Sequence, residues 1–255
     1  MGYGNIYSEK AQKEIKANTV VTALCDKRGY TREGFTGTEL EAKINVTPKR
    51  NIIGITRSLN LSLGEQIRFP APYLLDNILD VSETVHEVYV SVSERVEEAF
   101  TVVKRTSGSK LKIKSNVQQY GPEDALILVR GEQHETENTT GQINELLVEK
   151  LKTSPFPIKY LGSFCKKSKE AFIFNPVSGR IFVVATNVCT SNAVKSTLYQ
   201  VELEYYGQVN GYSYQDPVLD DMVALVRPMI LDLPRLGYIG QSSTLTKGEW
   251  VMRCA

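Results

Sequence analysis

Two pairs of glutamates, each separated by one residue, are the feature of this sequence with the clearest chemical use. Glu39 and Glu41 lie in the segment TELEAKINV, and Glu202 and Glu204 lie in TLYQVELEYYG. Residues two apart on a β-strand project from the same face, so each pair would present its carboxylates together. If the two strands were neighbours, the four carboxylates would repel one another unless a cation lay among them. Oxygen ligands suit Mg²⁺ or Mn²⁺ better than zinc.

The elements that must position these glutamates are strands. Eight segments alternate apolar and polar residues with the two-residue period of a β-strand. They cover residues 38–46, 85–96, 98–105, 110–117, 124–135, 163–174, 179–189 and 197–207. This series predicts a closed antiparallel barrel or a two-sheet sandwich, and in a closed barrel the first and last strands would pair. Either glutamate pair alone is also typical of a strand face in water.

Helical spacing is confined to a few segments outside the strands. A helix is predicted from about Ser8, a second over residues 142–152, and a third after Asp216 at its N-cap and Pro217 at its first position. The expected regions are an N-terminal helical extension, a strand-rich domain and a C-terminal tail, over residues 1–37, 38–233 and 234–255.

The sequence ELEAK at 39–43, together with VELEYYG at 201–207, resembles the triphosphate tunnel metalloenzymes. This superfamily holds the CYTH-type phosphatases and the metal-dependent RNA triphosphatases of mRNA capping. The resemblance implies an α+β fold built on an eight-stranded antiparallel β-barrel, in which ExExK on the first strand and ExE on the last hold a divalent metal. One departure is Asn187, which stands where many members have an aspartate shortly before the last motif.

The resemblance also implies roles for the charged strand residues. Glu39, Glu41, Glu202 and Glu204 would bind the metal. A triphosphate carries about four negative charges, so several strands would have to supply cations. The expected phosphate ligands are Lys43, Arg95, Arg105, Lys112, Arg130, Lys167 and Lys169.

Some of these assignments depend on the alternation alone. Alternation does not separate Lys166 from Lys167, and Arg105 is preferred to Lys104 because Thr101 shares its face. A carboxylate near the reacting phosphate is also expected. Glu132 lies two residues after Arg130, so it could position a water or a neighbouring base while the arginine binds phosphate.

The expected reaction is in-line attack of water on the γ-phosphorus, with a metal and several cations stabilising the charge. Two substrates remain open. One is the 5′-triphosphate end of RNA, the first step of mRNA capping, with a guanylyltransferase or other capping component as partner. The other is a small molecule such as inorganic triphosphate, thiamine triphosphate or a nucleoside triphosphate. The form of the first motif favours RNA. A non-catalytic nucleic-acid-binding barrel is the alternative from another class, although no regular aromatic array accompanies the basic strands.

The composition narrows the class of protein. The 255 residues include 30 Lys+Arg and 29 Asp+Glu, a net charge of +1, which argues against a strongly basic nucleic-acid-binding module. No stretch approaches the roughly 18 apolar residues of a membrane helix, and no secretory signal is recognisable. The four cysteines are widely spaced, which favours a reduced compartment, cytoplasmic or nuclear. The two histidines are too few for a His-rich zinc site.

Overall fold

The computed structural model describes residues 34–49, 58–91, 98–105, 108–137, 140–154, 157–193, 196–208 and 218–254. The predicted helix from Ser8 and the predicted phosphate ligand Arg95 lie outside these ranges. Arg105 lies on a described strand, but its side chain is not among those described. Within the described ranges the fold is α+β, with strands making up most of the structure.

The strands form one antiparallel sheet that closes on itself. Their bounds are β1 (Gly34–Pro48), β2 (Leu74–Ile78), β3 (Ser82–Ser91), β4 (Glu98–Arg105), β5 (Gly108–Tyr120), β6 (Ile127–Glu137), β7 (Ile158–Phe174), β8 (Arg180–Ser191), β9 (Thr197–Gln208) and β10 (Tyr238–Ser243). Eight of them make the ring β1-β6-β5-β4-β3-β7-β8-β9, and the pairing of β9 with β1 closes it. The predicted eight-stranded antiparallel barrel is confirmed.

The eight predicted strands correspond to the eight strands of the ring, because alternation is a local signal that each strand carries by itself. The two further strands were not predicted. β2 pairs with β7, and β10 continues along β1 beyond the end of β6. Both are short, so they contain few alternations. The ring strand β1 begins at Gly34 rather than at the predicted Thr38, because pairing with β6 extends it.

Four α-helices flank the barrel in the described part of the chain. They are α1 (Leu63–Gln66), α2 (Thr140–Thr153), α3 (Val218–Asp232) and α4 (Lys247–Cys254). The predicted helices correspond to α2 and α3, whereas α1 and α4 were not predicted. None of the described helices is long and apolar enough to cross a membrane.

The main hydrophobic core lies outside the barrel, between the sheet and α3. Apolar residues of β1, β8 and β9 alternate with the glutamates and pack against one face of the helix. The fully buried members include Ala42, Ile44, Val184, Val201, Leu203, Met222, Leu225 and Met229. Burial of this apolar area stabilises the fold by roughly 25 cal/mol per Å². The packing therefore anchors the strands whose opposite faces carry the charged residues.

Candidate functional site

The register of β1 against β9 brings the two glutamate motifs together. Glu41 lies opposite Glu204, and Lys43 lies opposite Glu202. Residues directly opposite each other in an antiparallel pair project from the same face. Because the alternate residues of β1 and β9 pack outside the barrel against α3, this face with both motifs is the inner one. The expectation that the first and last strands of the predicted series pair is confirmed.

Three of the four glutamates form a cluster. Each of Glu39, Glu41 and Glu204 can offer a carboxylate oxygen so that the three atoms lie within 4.8 Å of one another. Burial raises the pKa of Glu204 to about 7, and the charges of Glu41 and Glu39 add to this effect. No described cation lies within ion-pair distance of Glu204. The cluster therefore concentrates negative charge in a place shielded from water.

Arg130 of β6 partly compensates this charge from the other side of β1. The β1–β6 register sets it opposite Glu39. Its Nε donates to Glu39 and its Nη2 donates to Glu41. Lys114 Nζ lies 3.0 Å from Glu39 Oε2, and Lys43 Nζ lies 2.6 Å from Glu41 Oε2. Burial opposes ionisation of Glu39, but Arg130 and Lys114 outweigh it and hold its pKa below the ordinary value.

Glu132, the predicted water-positioning residue, is buried and bound by the lysine face of β5. Lys112 Nζ donates to Glu132 Oε1 at 2.9 Å, and Lys114 Nζ lies 3.7 Å from Glu132 Oε2. The same Lys114 reaches Glu39, so Glu132 is linked to the acidic cluster through one ammonium group. Lys112, Lys114 and Arg130 are thereby collected around the acidic residues.

Glu202, the fourth predicted metal ligand, has different neighbours. Its Oε1 accepts hydrogen bonds from Lys43 at 2.8 Å and from Lys247 of α4, and its Oε2 accepts one from Asn187 at 2.5 Å. Burial opposes its ionisation, yet Lys247 and Lys43 hold its pKa well below the ordinary value. Its role as a metal ligand stays a prediction.

Asn187, the departure from the family pattern, is fully buried next to this carboxylate. Its Nδ2 donates to Glu202, and its Oδ1 accepts from Ser168 Oγ at 2.7 Å. A carboxylate at this position would face Glu202 with a like charge, whereas the amide supplies a donor. The asparagine therefore suits a site in which Glu202 is ionised.

Two predicted phosphate ligands lie on the outer face. Lys167 is 53% exposed and pairs with Glu83, and Lys169 pairs with Glu65 of α1. Lys166 is the residue whose register partner, Cys189, belongs to the inner face. The prediction for Lys167 and Lys169 is therefore corrected, because one step along a strand moves a side chain to the opposite face.

Lys247 and Lys114 also contribute to the inner surface and, like Lys166, were missing from the predicted set. Lys247 comes from α4, far from any strand motif, and only the fold brings it to Glu202. Lys114 shares a face with Lys112 in KLKIK, so the same alternation that selected Lys112 could have selected it. The sequence carried a signal for Lys114 but none for Lys247.

The cluster of Glu39, Glu41 and Glu204 suits a hard divalent cation. All of its ligand atoms are carboxylate oxygens, and the three residues can converge on a single point. A cation there would also relieve the repulsion that raises the pKa of Glu204. The chemistry of the donors thus fits the metal that the sequence motifs imply.

No family model matches the chain, and no curated protein matches it. The PH1819 protein from Pyrococcus horikoshii OT3 is a similar solved structure, with 12% identity over 85% of this chain and 99% of that chain and a TM-score of 0.42. A conserved hypothetical protein from Pyrococcus furiosus has 12% identity, coverages of 83% and 98% and a TM-score of 0.41.

The S. pombe Pct1 RNA triphosphatase, in complex with the Spt5 CTD, is also similar. It has 10% identity over 88% of this chain and 92% of that chain, with a TM-score of 0.29. These values leave the reaction and the substrate undecided. The closed eight-stranded antiparallel barrel itself fits the tunnel fold that the sequence motifs implied.

Proposed function

We propose that this protein is a metal-dependent triphosphatase that removes the γ-phosphate from a substrate bound inside the barrel. The observation that carries the proposal is the buried cluster of Glu39, Glu41 and Glu204, surrounded by cations from several strands. Buried charges destabilise a fold unless they are paired, and a charged ligand would offset the repulsion among these three carboxylates. A metal triphosphate carries both signs of charge, so it matches both parts of this surface.

The metal ligands in this proposal are the three clustered carboxylates. Mg²⁺ or Mn²⁺ bound there would act as a Lewis acid that withdraws charge from a phosphate oxygen. The three carboxylates would hold the ion at a fixed position along the barrel, because the hydrophobic core between α3 and the sheet fixes β1 and β9, which carry them. Glu202 would stay with Lys43 and Asn187 and keep these side chains in place.

The cations on the inner surface would bind the phosphate oxygens. Arg130 could offer donors from a rigid guanidinium, and Lys112 and Lys114 could move from the carboxylates to the substrate. In the reaction, a water oxygen forms the new bond to the γ-phosphorus. The bridging P–O bond breaks, and its electron pair leaves with the diphosphate. We assign acceptance of the water's proton to Glu132.

For the substrate, we propose the 5′-triphosphate end of RNA. A barrel that grips phosphates needs no base contacts, so binding would depend on the 5′ end rather than on RNA sequence. Lys49 and Arg68 are exposed and could contact the strand outside the barrel. A capping component such as a guanylyltransferase would then be the partner that uses the diphosphate end.

The decisive experiment compares γ-phosphate release from triphosphate-ended RNA, inorganic triphosphate, thiamine triphosphate and ATP, with Mg²⁺, Mn²⁺ or chelator. Metal-dependent release from at least one of them is expected, with loss of release in Glu41→Gln. Glu149→Gln is the matched control, because Glu149 is exposed on α2. No release from any substrate would contradict the proposal.

The same experiment separates the substrates. A preference for RNA that weakens as salt is raised is expected, since an RNA chain makes more phosphate contacts than free triphosphate. A preference of about a hundredfold for inorganic triphosphate, unchanged by salt, would assign the small-molecule function instead. Binding of RNA without any hydrolysis would indicate a non-catalytic barrel.

A further inference from the structure

His86 lies on the inner face of β3, the strand that stands opposite β1 in the barrel. In the ring order, β3 is the fourth strand from β1 in both directions. The β3–β7 register sets Thr84 opposite Lys166, and His86 opposite Phe164. Lys166 belongs to the inner face, so Thr84 and His86 belong to it as well. The imidazole therefore lies across the interior from the strand that carries the first glutamate motif.

Two contacts fix the orientation of the imidazole. Its ring is stacked on the ring of Phe164, with centroids 4.7 Å apart and planes inclined by 12°. Its Nε2 shares a hydrogen bond of 2.8 Å with Thr84 Oγ1. The other ring nitrogen, Nδ1, has no hydrogen-bond partner among the residues that the structure describes. A polar atom on an inner surface that lacks a protein partner is a contact point for water or a ligand.

The charged groups that act most strongly on His86 are all cations. They come from β5, β7 and α4 and are Lys110, Lys112, Lys166 and Lys247. On the other neighbouring strand, β4, the register places the uncharged Val103 beside His86. Burial lowers the pKa of His86 well below its ordinary value, and the lysines lower it further. Without an anion among these lysines, the imidazole is therefore uncharged at neutral pH.

A phosphate chain among the lysines would change the balance of charge at His86. Its negative charge offsets the repulsion from the lysines, and a phosphate oxygen can accept a hydrogen bond from an imidazolium. Both effects raise the pKa of His86. Because the protonated ring binds the anion more tightly than the neutral ring does, anion binding and protonation favour each other. The histidine would thus supply a positive charge only when the anion is present.

We propose that His86 is a ligand of the substrate: Nδ1 donates a hydrogen bond to a non-bridging oxygen of the phosphate chain, and the ring takes up one proton from the solvent as the chain binds. The inference rests on the proposed triphosphatase function and adds a residue that the pattern of lysines and arginines did not indicate. In the imidazolium, Nε2–H donates to Thr84 Oγ1 and Nδ1–H donates to the phosphate.

This contact is compatible with the proposed reaction. The proton returns to the solvent when the product leaves, so His86 neither makes nor breaks a bond to phosphorus. A non-bridging oxygen lies off the line between the attacking water and the leaving oxygen. The hydrogen bond from His86 therefore leaves the place of the water at Glu132 free.

Calorimetry with a β,γ-methylene nucleoside triphosphate and Mg²⁺ measures the proton, because the P–C–P bridge of this analogue is not hydrolysed. Titrations in two buffers of different ionisation enthalpy give the number of protons taken up. The wild type should take up as much as one proton more than His86→Asn, which keeps an N–H near the position of Nδ1 but cannot become charged. This comparison cancels the protons that the analogue itself exchanges.

The same titrations measure affinity. The charged ring contributes only below the pKa that it has in the complex. Wild-type affinity at about pH 6 should therefore exceed that of His86→Asn by about 10-fold, and the difference should shrink by about pH 8. Lys152→Met, a change of an exposed cation on α2, is the control and should match the wild type in affinity and in proton uptake. Thermal denaturation checks that His86→Asn is folded.

NMR tests the protonation state without altering His86. The chain has two histidines, so His134→Gln leaves His86 as the remaining imidazole. At about pH 6.5 its ring nitrogens should give the spectrum of a neutral imidazole without the analogue and that of an imidazolium at saturation. A neutral ring at saturation, or equal proton uptake by the wild type and His86→Asn, would overturn the inference, whereas phosphate release from a triphosphate would leave the proposed function intact. Proton uptake by a protein that releases no phosphate from any triphosphate would contradict the proposed function alone.

Discussion

The inner and outer faces of β1 and β9 are both buried, yet their chemistry is opposite. On β1, Ala42 and Ile44 face α3 with 0% exposure, while Glu41 and Lys43 face the barrel interior with 2% exposure each. On β9, Val201 and Leu203 face outward with 0% exposure and Glu202 faces inward with 1% exposure, while Glu204 is half-buried. Depth of burial therefore does not distinguish a core from a binding surface in this protein.

The two faces differ in what burial does to the free energy of folding. Packing of apolar side chains under α3 stabilises the fold in proportion to the area removed from water. Buried ion pairs contribute little or nothing net, because desolvation offsets their attraction, although removal of one partner is costly. Substitution of an apolar residue on the outer face should thus lower stability and leave activity unchanged, whereas substitution of a charge on the inner face should change activity or change stability in a way that depends on metal.

The largest expected effect is on activity and comes from the acidic cluster. Glu41→Gln should lower kcat/KM for the best triphosphate substrate by at least about 1,000-fold, since a distorted metal site loses several kcal/mol of transition-state stabilisation. Steady-state phosphate release at saturating metal measures this. Ile44→Val, a change on the outer face of the same strand, should retain near-normal turnover. Similar losses of kcat/KM in both variants would show that the inner and outer faces of β1 do not differ in their contribution to activity.

Arg130→Met should have the largest effect on stability among the inner residues. It leaves Glu39 and Glu41 without their shared guanidinium, which should lower the free energy of unfolding by about 3–5 kcal/mol. Urea denaturation with chelator measures the loss. Added Mg²⁺ should restore part of it, because a cation can replace the missing charge. Full stability in chelator would show that the carboxylates need no partner.

Leu225→Ala tests the outer face. Leu225 is fully buried between α3 and the barrel, so truncation should lower the free energy of unfolding by about 2–5 kcal/mol. Unlike the Arg130 variant, it should gain no more from Mg²⁺ than the wild type does. At a temperature where it is folded, its kcat/KM should stay within about twofold of the wild type. If Mg²⁺ stabilised Leu225→Ala more than the wild type, the outer and inner faces would not be independent.

Lys112→Met should produce a smaller effect on activity. Lys112 is less buried than Arg130, so stability should change little while triphosphate use weakens by about 1.5–3 kcal/mol. A KM and melting-temperature measurement on the same preparation distinguishes these outcomes. Lys152→Met, on the exposed surface of α2, is the control. A lower melting temperature with unchanged KM would place Lys112 among purely structural residues.

Glu204→Gln should have the smallest effect on the free energy of unfolding, and it should raise this free energy rather than lower it. It removes one of three carboxylates within 4.8 Å, so the chelator-treated protein should gain on the order of 1 kcal/mol of unfolding free energy. Stabilisation by Mg²⁺ should be reduced at the same time. Thermal denaturation with and without metal measures both changes. Destabilisation in chelator would mean that the carboxylate has a favourable partner.

Alternation was enough to predict the ring strands, and motif spacing was enough to predict that each glutamate pair shares one strand face, whereas the inner position of these faces was implied only by the resemblance to the tunnel enzymes. Both depend on a period of two, which each strand expresses locally. The strands β2 and β10 were not predicted, because so few residues show too little alternation to be recognised as a strand. Lys167 and Lys169 were placed on the wrong face because a strand with lysines at neighbouring positions does not reveal its parity. Arg95 and Arg105 stay predictions.

The sequence by itself determined which residues alternate, and hence that each glutamate motif lies on one face of a strand. Only the tertiary structure decided which carboxylates meet. The β1–β9 register sets Glu204 opposite Glu41, and Glu202 opposite Lys43. It also brought Lys247 of α4 to Glu202. These are contacts between residues far apart in the chain, and they depend on packing and register that no local pattern encodes.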